Sequence, residues 1–356
     1  MRTIEVRRLG RTGMQVARIG FGGMTIPKVN VEQAVATINR ALDLGVNFID
    51  TARVYGNGDS ERKIGRVMED RRGEVYLSSR TPDTTYDGIQ KAIDESLEAL
   101  RTDYVDLYEP HDVSTQARYD PLMRKGGGLK ALKEAKEEGK IRHIGFTSHN
   151  WDLIKEMIRS EEFEAGLITY NLANREAEEE VLDLAEEHDV GLFVMKVFGN
   201  ASLLELSPPE QDRKPTVREC LRFALSSRRL PLILTGVKSP EEIEQNVAIA
   251  NSYRPLSAAE QRDLRDFGDR LGRGYCYGCE YCLPCPQDIN IPGILQLLDY
   301  QERISWEWPQ AKKQYAEFGA TIEDCIDCGQ CQERCPQNLP IRERLQKAHD
   351  RFAEAG

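Results

Sequence analysis

Short apolar runs alternate with amphipathic, charged stretches over most of this chain of 356 residues. The apolar runs lie at residues 17–21, 46–49, 75–77, 104–108, 143–146, 167–170, 191–197 and 230–235. The stretches with helical periodicity follow them, at residues 31–44, 61–69, 87–100, 129–138, 152–159, 177–188, 216–226 and 240–250. Buried runs that alternate with helices indicate parallel strands joined by right-handed crossovers. Eight such units predict an α/β fold of the (β/α)8 barrel type.

Two further segments flank the predicted barrel. Residues 4–16 alternate around Gly10-Arg11-Thr12-Gly13, which predicts a hairpin before the first barrel strand. Near residue 257 the composition changes, and a helix over residues 258–271 leads to the flexible Gly272-Arg273-Gly274. We therefore expect three parts: the barrel at residues 1–256, a helix and linker at 257–274, and a small cysteine-rich domain at 275–356.

Eight of the nine cysteines fall in two tight runs near the end of the chain. The runs are Cys276-x2-Cys279-x2-Cys282-x2-Cys285 and Cys325-x2-Cys328-x2-Cys331-x3-Cys335, each followed by proline. This spacing resembles that of bacterial ferredoxins, in which three cysteines of one run and the fourth of the other hold each cubane cluster. The resemblance implies two [4Fe–4S] clusters, one on Cys276, Cys279, Cys282 and Cys335 and one on Cys325, Cys328, Cys331 and Cys285. The first run is one residue shorter before its last cysteine, and the insert at 286–324 has helical stretches at 294–301 and 310–318, so we expect a mostly helical, ferredoxin-like domain.

Two other uses of these cysteines are weighed against clusters. Zinc sites favour two separated C-x-x-C pairs, and disulfides favour exported proteins. The first ten residues carry charges without an apolar core, so they do not read as a secretory signal. The pattern therefore favours metal ligation in a reducing cytoplasm. Cys220, in the helical stretch at 217–225, is expected to be an ordinary core residue.

The charge balance restricts the partners. The formal net charge is −11 at neutral pH. An acidic chain repels nucleic acid and anionic lipid, so neither is expected as a partner. No run of 18 apolar residues is present, which predicts that no helix spans a membrane.

Several stretches at the predicted strand ends and turns form a recognisable set. They are Asn47-Phe48-Ile49-Asp50-Thr51-Ala52-x-x-Tyr55-Gly56, Asp106-Leu107-Tyr108-Glu109-Pro110-His111, Gly20-Phe21-Gly22-Gly23-Met24, Ser60-Glu61, Tyr170-Asn171-Leu172-x-Asn174-Arg175 and Ser239-Pro240-Glu241-x4-Asn246. Together they resemble the aldo-keto reductase family, over roughly residues 3 to 250. The family reduces carbonyl groups with a nicotinamide cofactor. The resemblance implies Tyr55 as general acid, His111 as the residue that binds the carbonyl oxygen or relays the proton, and Asp50 as the residue that orients a cation.

The cation itself departs from the family pattern. The family's lysine is expected at the end of the third barrel strand, where this chain has Arg80. Arginine keeps the positive charge that lowers the pKa of a neighbouring phenol, but it is planar and larger than lysine. Its fork suits a carboxylate or phosphate of a substrate, or a simple pair with Asp50.

The expected cofactor contacts are mixed. The resemblance implies contacts from residues at or after the ends of four of the strands, namely Gly22, Thr147, Ser148, Met195, Gly236, Lys238, Glu242 and Asn246. Leu167 stands where the family has a glutamine, and Met195 stands where it has an aromatic residue that stacks on nicotinamide. Glu242 repels a 2′-phosphate and suits a ribose hydroxyl, which favours NADH over NADPH, whereas Lys238 has the opposite effect.

Three functions remain open at this stage. The first is a reductase that acts on a small carbonyl or alcohol substrate, with clusters that are structural, regulatory or a docking point for a redox partner protein. The second is an electron-transfer enzyme whose clusters feed a flavin or the substrate, because a flavin is the usual link between two-electron and one-electron carriers. The third is a non-catalytic redox-interaction protein on a degenerate barrel.

Overall fold

We describe the fold from a computed structural model. The structure describes residues 4–199, 203–204, 213–271, 275–276, 278, 280–303, 311–335 and 337–353. The chain forms two compact units. The first comprises residues 1–171, 175–197 and 221–257, and the second comprises residues 172–174, 198–220 and 258–356. No helix in these described ranges is both long and apolar enough to cross a membrane.

The first unit is a closed barrel of eight parallel strands. A short antiparallel pair precedes it, β1 (Val6–Arg8) and β2 (Gln15–Ala17). The barrel strands are β3 (Ile19–Gly22), β4 (Phe48–Asp50), β5 (Tyr76–Thr81), β6 (Val105–Pro110), β7 (Ile141–Thr147), β8 (Ala165–Thr169), β9 (Gly191–Met195) and β10 (Ile233–Gly236). Neighbours in sequence are neighbours in the barrel, and β10 closes it against β3. The predicted fold is confirmed.

Helices cover the outside of the barrel strands. They are Val31–Asp43, Asp59–Arg71, Tyr86–Leu100, Gln116–Met123, Gly128–Glu137, Trp151–Arg159, Ala177–Glu180, Leu182–Glu187, Val217–Ser226 and Pro240–Asn251. The prediction of one helix at residues 177–188 is wrong. The segment forms two short helices that are separated at Val181, whose φ of −137° lies outside the helical region. Helix Gln116–Met123 has almost no amphipathic pattern, and the sequence did not predict it.

The predicted hairpin closes the amino-terminal end of the barrel. Between β1 and β2, Leu9 and Met14 are buried in one apolar cluster with side chains from inside the barrel, among them Phe48, Leu167 and Phe193. Gly10 has a φ of +49°, and a Cβ there would lie 2.1 Å from the backbone nitrogen of Gly191. The hairpin thus seals this end with apolar contacts, and polar side chains collect at the opposite end.

The second unit is mostly helical, as predicted. Its helices are Ala258–Leu271, Ile291–Arg303, Ala311–Ala316, Gln330–Glu333 and Ile341–Phe352. One apolar core joins Ile294 and Leu298 of one helix to Leu345 and Phe352 of another, and six of the cysteines of the two runs, Cys276, Cys282, Cys285, Cys325, Cys331 and Cys335, lie in or against it. The sequence analysis did not identify the last of these helices.

Candidate active site and cysteine segment

A buried ion-pair group occupies the carboxyl ends of four consecutive strands. Asp50 ends β4, Arg80 lies near the end of β5, Glu109 lies on β6, and Thr147 ends β7. Arg80 pairs with Asp50 through Nη2, and its Nη1 lies 3.5 Å from Glu109 Oε2 and 3.3 Å from Thr147 Oγ1. Its Nε donates to the Thr51 carbonyl oxygen at 3.1 Å. The guanidinium fork therefore links neighbouring strands across the barrel interior.

The charges in this group do not balance when both acids are ionised. Arg80 and Glu109 are at most 1% exposed, and Asp50 is 3% exposed. Burial raises the pKa of both carboxyl groups, and the positive charge of Arg80 opposes that shift. Asp50 pairs directly with Arg80, whereas Glu109 lies farther from the guanidinium.

Tyr55 and His111 face each other beside this ion pair. Tyr55 lies on the turn after β4. His111 follows β6, and its backbone N–H donates to the Thr81 carbonyl oxygen at 2.7 Å. Their rings meet edge to face, with centroids 6.0 Å apart. The guanidinium carbon of Arg80 lies 5.9 Å from the centre of the Tyr55 ring. Thus the structure brings Asp50, Tyr55, Arg80 and His111 into one group.

Burial dominates the acidity of both rings. It raises the pKa of the half-buried Tyr55 phenol to about 12, although Arg80 lowers it and the charges of Asp50 and Glu109 raise it further. Burial also lowers the pKa of His111 well below its usual value, and Arg80 adds to the effect. His111 is therefore a neutral imidazole near pH 7, and it can accept or pass on a proton.

A positioned arginine fixes the turn that carries His111. Arg118, on helix Gln116–Met123, donates to the carbonyl oxygens of Pro82, His111 and Asp112 at 2.6 to 2.8 Å. This unpredicted helix therefore has a clear role. Its arginine replaces water at three backbone acceptors that the turn leaves unpaired.

Three polar residues near the site were missed by the sequence analysis. Glu109 is one, and the others are His149 and Lys196, which follow β7 and β9. Lys196 Nζ lies 3.2 Å from His149 Nε2, and His149 Nδ1 lies 3.2 Å from Thr169 Oγ1. Their positions in the sequence could have identified them. His149 and Lys196 follow the ends of barrel strands, and Glu109 points to the same side of the chain as His111, two residues farther along.

The residues expected to contact a cofactor also lie at this end of the barrel. Gly22 and Gly236 are partners across the β3–β10 pair, and a Cβ at Gly22 would lie 3.3 Å from the Thr235 carbonyl oxygen. Thr147 at the end of β7 and Ser148 just after it are buried, and Met195 is half-buried at the end of β9. After β10, the Glu242 carboxylate accepts a hydrogen bond from the backbone N–H of Lys238 at 2.7 Å, and Asn246 is buried on helix Pro240–Asn251.

Leu167 is the register partner of Thr147 on β8, but its side chain packs among apolar residues. It is 1% exposed and packs in the apolar cluster with Leu9 and Phe193. A leucine there supplies neither donor nor acceptor, so this chain lacks the polar contact that a glutamine would offer at the same position.

Cysteines of both runs line a cavity in the second unit. The cavity has about 540 Å³ of space, some of it open to solvent, and its wall includes Cys282, Cys285, Cys325, Cys328 and Cys331. Burial raises the pKa of the Cys331 thiol, and the neighbouring thiols of Cys325, Cys328 and Cys285 raise it further. These four cysteines therefore lie close together, although Cys285 belongs to the other run. Five thiols line the cavity, and the four that include Cys331 and its three neighbours fit a cubane cluster.

The first run is described only in part, because Cys279 lies outside the described residues. Cys276 is buried, and its Sγ accepts the Gly278 N–H at 3.3 Å. Its own N–H donates to Asp299 Oδ2 at 2.6 Å, and Asp299 pairs with Arg344. Backbone N–H groups directed at sulfur are a feature of cluster ligands. Within the described ranges, no three His, Cys, Asp or Glu side chains converge on the position of a single metal ion. Cys220 is fully buried, which confirms its expected core position.

A closed parallel barrel with polar groups at the carboxyl ends of its strands defines the class of (β/α)8 barrel enzymes. The comparison with known families goes further, since the aldo/keto reductase family pattern matches residues 18–219, more than half of the chain. The chain belongs to the aldo/keto reductase family and is an oxidoreductase of that type. A second pattern, that of a 4Fe-4S dicluster domain, matches residues 275–340. Both predicted resemblances are confirmed.

Relatives and solved structures agree with this assignment. The L-galactose dehydrogenase of Arabidopsis thaliana is 27% identical over 73% of this chain and 92% of its own length. The NADH-specific methylglyoxal reductase of Escherichia coli is 25% identical over 74% of this chain and 98% of its own length. Among solved structures, an aldo-keto reductase of Bacillus halodurans in its holo form is 25% identical, with a TM-score of 0.65 over 74% of this chain and 96% of that chain. One of Klebsiella pneumoniae in complex with NADP and acetate has a TM-score of 0.62 at 24% identity, over 75% of this chain and 96% of that chain.

Proposed function

We propose that this protein reduces the carbonyl group of a small aldehyde or ketone to an alcohol, reversibly, with Tyr55 as the proton donor. The observation that carries the proposal is the edge-to-face pair of Tyr55 and His111 beside the buried guanidinium of Arg80. A bound nicotinamide would supply the hydride to the carbonyl carbon. The chain's own task is then to hold the carbonyl oxygen and give it a proton.

The three residues divide this task. Neutral His111 can donate a hydrogen bond to the carbonyl oxygen and so fix its position. The phenol of Tyr55 gives its proton to the same oxygen, which leaves a phenolate. Arg80 stabilises that anion through its positive charge, while Asp50 holds the guanidinium in place. In the reverse direction the phenolate takes the proton of the alcohol.

The cofactor would lie along the residues at the strand ends. Gly22 and Gly236 present backbone without a side chain, whereas Thr147 and Ser148 offer hydroxyl groups. We propose NADH as the preferred cofactor, because the Glu242 carboxylate lies at the start of helix Pro240–Asn251, where a 2′-phosphate would meet negative charge. One relative is named as NADH-specific, whereas the Klebsiella structure holds NADP.

We further propose two [4Fe–4S] clusters in the second unit. Cys285, Cys325, Cys328 and Cys331 would hold one cluster, a set supported by their proximity around one cavity. Cys276, Cys279, Cys282 and Cys335 would hold the other. Such clusters supply one-electron transfer. We also propose that the protein has a redox partner protein and a cytoplasmic location. The proposed domain boundaries lie at residues 256 and 274.

The test of the reductase proposal compares two tyrosine variants. Tyr55→Phe should abolish oxidation of NADH by a panel of aldehydes while the affinity for NADH, measured by fluorescence, stays unchanged. Tyr76→Phe is the control, because Tyr76 begins β5 at the other end of the barrel. Full turnover in Tyr55→Phe would refute the role of Tyr55.

Leu167 and Met195 depart from the family pattern at the cofactor site, and these departures are the reason to test the electron-transfer alternative as well. The visible spectrum of the anaerobically purified protein would show structured flavin bands if a flavin is bound. NADH should also be added without any aldehyde. If the cluster absorbance then bleaches, electrons pass from the cofactor in the barrel to the clusters.

A further inference from the structure

Glu109 is a buried acid beside Arg80 that neither the resemblance nor the sequence pattern assigned to the site. Arg80 and Glu109 are register partners on β5 and β6, so their side chains lie side by side. Glu109 is fully buried, and its Oε2 lies 3.5 Å from Arg80 Nη1 and 3.4 Å from Ser78 Oγ. Its position follows from strand geometry, since residues 109 and 111 point to the same side of β6.

One guanidinium here serves two carboxyl groups. In the described part of the chain, Asp50 Oδ1 and Glu109 Oε1 are buried atoms with no hydrogen-bond partner. Two ionised carboxylates beside one cation would leave a net negative charge away from water, which is costly. A proton on one carboxyl group removes that charge. The group farther from Arg80, Glu109, is the one that holds it.

Within the described residues, three charged or titratable groups face Glu109 from neighbouring elements, and His111 lies two residues farther along on the same side of its own segment. Arg80 approaches from β5, Asp50 from β4 and Tyr55 from the turn after β4. From β7, Thr147 contributes a hydroxyl group and Gly145 only backbone, so the side of Glu109 on β7 carries no charge.

We propose that Glu109 is a second acid of this site: it carries a proton near neutral pH, and loss of that proton cancels the positive field that Arg80 directs at Tyr55. Glu109 is thus a positioning residue that acts through Arg80. With Glu109 neutral, Arg80 favours the phenolate of Tyr55. With Glu109 ionised, the added negative charge opposes the phenolate, so Tyr55 becomes a weaker proton donor. The effect on turnover rests on the proposed function, whereas the proton on Glu109 can be tested without turnover.

Infrared difference spectroscopy on the full, cluster-loaded protein tests the proton directly. Near neutral pH, the wild type should show the C=O stretch of a buried protonated carboxyl group that is absent from Glu109→Gln. The control is Glu164→Gln, because Lys136 and His143 pair with Glu164 and hold the pKa of that carboxyl group at about 2. That variant should keep the band. A wild-type spectrum without the band, or a band that persists in Glu109→Gln, would overturn the proposal.

Alkaline titration of the phenol tests the coupling to Tyr55. The ultraviolet difference between each protein and its Tyr55→Phe counterpart isolates this one tyrosine. Glu109→Gln should make Tyr55 at least tenfold more acidic than in the wild type, because at an effective dielectric constant of about 20 a unit charge has a tenfold effect from about 12 Å and a larger one from closer. Equal acidity in the two proteins would refute the coupling.

The pH profile separates this proposal from the reductase proposal. Reductive kcat should fall as pH rises past the ionisation of Glu109, and in Glu109→Gln this fall should move to higher pH. If Tyr55→Phe keeps its turnover, the reductase proposal fails while the infrared band still reports on Glu109. If the band is absent while Tyr55→Phe is inactive, the Glu109 proposal alone fails.

Discussion

Replacement of Arg80 by methionine removes the cation on which two buried acids depend. Arg80 is 1% exposed, and Asp50 and Glu109 both lie beside its guanidinium. Methionine keeps much of the volume, so the loss is mainly electrostatic. Breaking a buried ion pair at one partner costs about 3–5 kcal/mol, because an uncompensated charge remains. At about 2–4 °C per kcal/mol, the barrel should unfold roughly 10 °C lower.

The sign of the pH dependence follows from linkage. Arg80 lowers the pKa of both carboxyl groups, so its removal raises them further above their ordinary values of about 4. The folded variant then binds more protons than the unfolded chain, and its stability falls as pH rises. The deficit relative to wild type should therefore be larger near pH 8 than near pH 5.

Thermal unfolding followed by circular dichroism at these two pH values is the assay. Arg40→Met is the control, because Arg40 pairs with Glu244 on the surface, where an ion pair is worth less than about 1 kcal/mol. Glu109→Gln added to Arg80→Met should recover part of the loss, and Arg80→Lys should retain most of the stability if the methionine variant does not fold. A deficit below about 1 kcal/mol, or one that does not change with pH, would refute this account.

Three further outcomes are expected. Gly10→Ala should destabilise the barrel by well over the roughly 1 kcal/mol cost of a left-handed alanine, because its Cβ would meet the Gly191 backbone. Gly13→Ala is the control, since open space surrounds that position, and it should cost only about 1 kcal/mol in thermal unfolding. Equal losses of stability in the two variants would contradict the contact with Gly191. Cys331→Ser should lower the iron content from about eight to about four per chain, whereas Cys220→Ala should retain all of it, and unchanged iron in Cys331→Ser would exclude the proposed ligand set. Glu242→Gln should improve the KM for NADPH relative to NADH by about tenfold, with Glu241→Gln as control, and no change in the ratio would remove Glu242 from the cofactor site.

The barrel was predictable because its strands are buried on both faces and therefore read as apolar runs. The hairpin was predictable from its glycine turn. Tyr55, His111 and Asp50 were identified through the resemblance, and the structure brings them together. The helix at residues 116–123 was missed because its pattern is not amphipathic, and its contribution lies in one arginine, Arg118.

Glu109 was missed for a different reason. The apolar run of its strand ends at Tyr108, so an acid followed by proline looked like the start of a loop. In the structure β6 continues through Pro110, and the buried acid is tolerated because Arg80 is its register partner. Such a pair depends on how two strands align, which no local pattern in either strand records.

Closure of the barrel has a consequence for how the chain is made. β3 pairs with β4 on one side and with β10 on the other, and more than two hundred residues separate Gly22 from its partner Gly236. At about 5–20 residues per second, a ribosome needs roughly 10–40 s to synthesise that length. Throughout that interval the first barrel strand has an open edge, which can pair with a neighbouring nascent chain. Efficient production of this protein should therefore depend on chaperones that shield β3 until β10 has emerged.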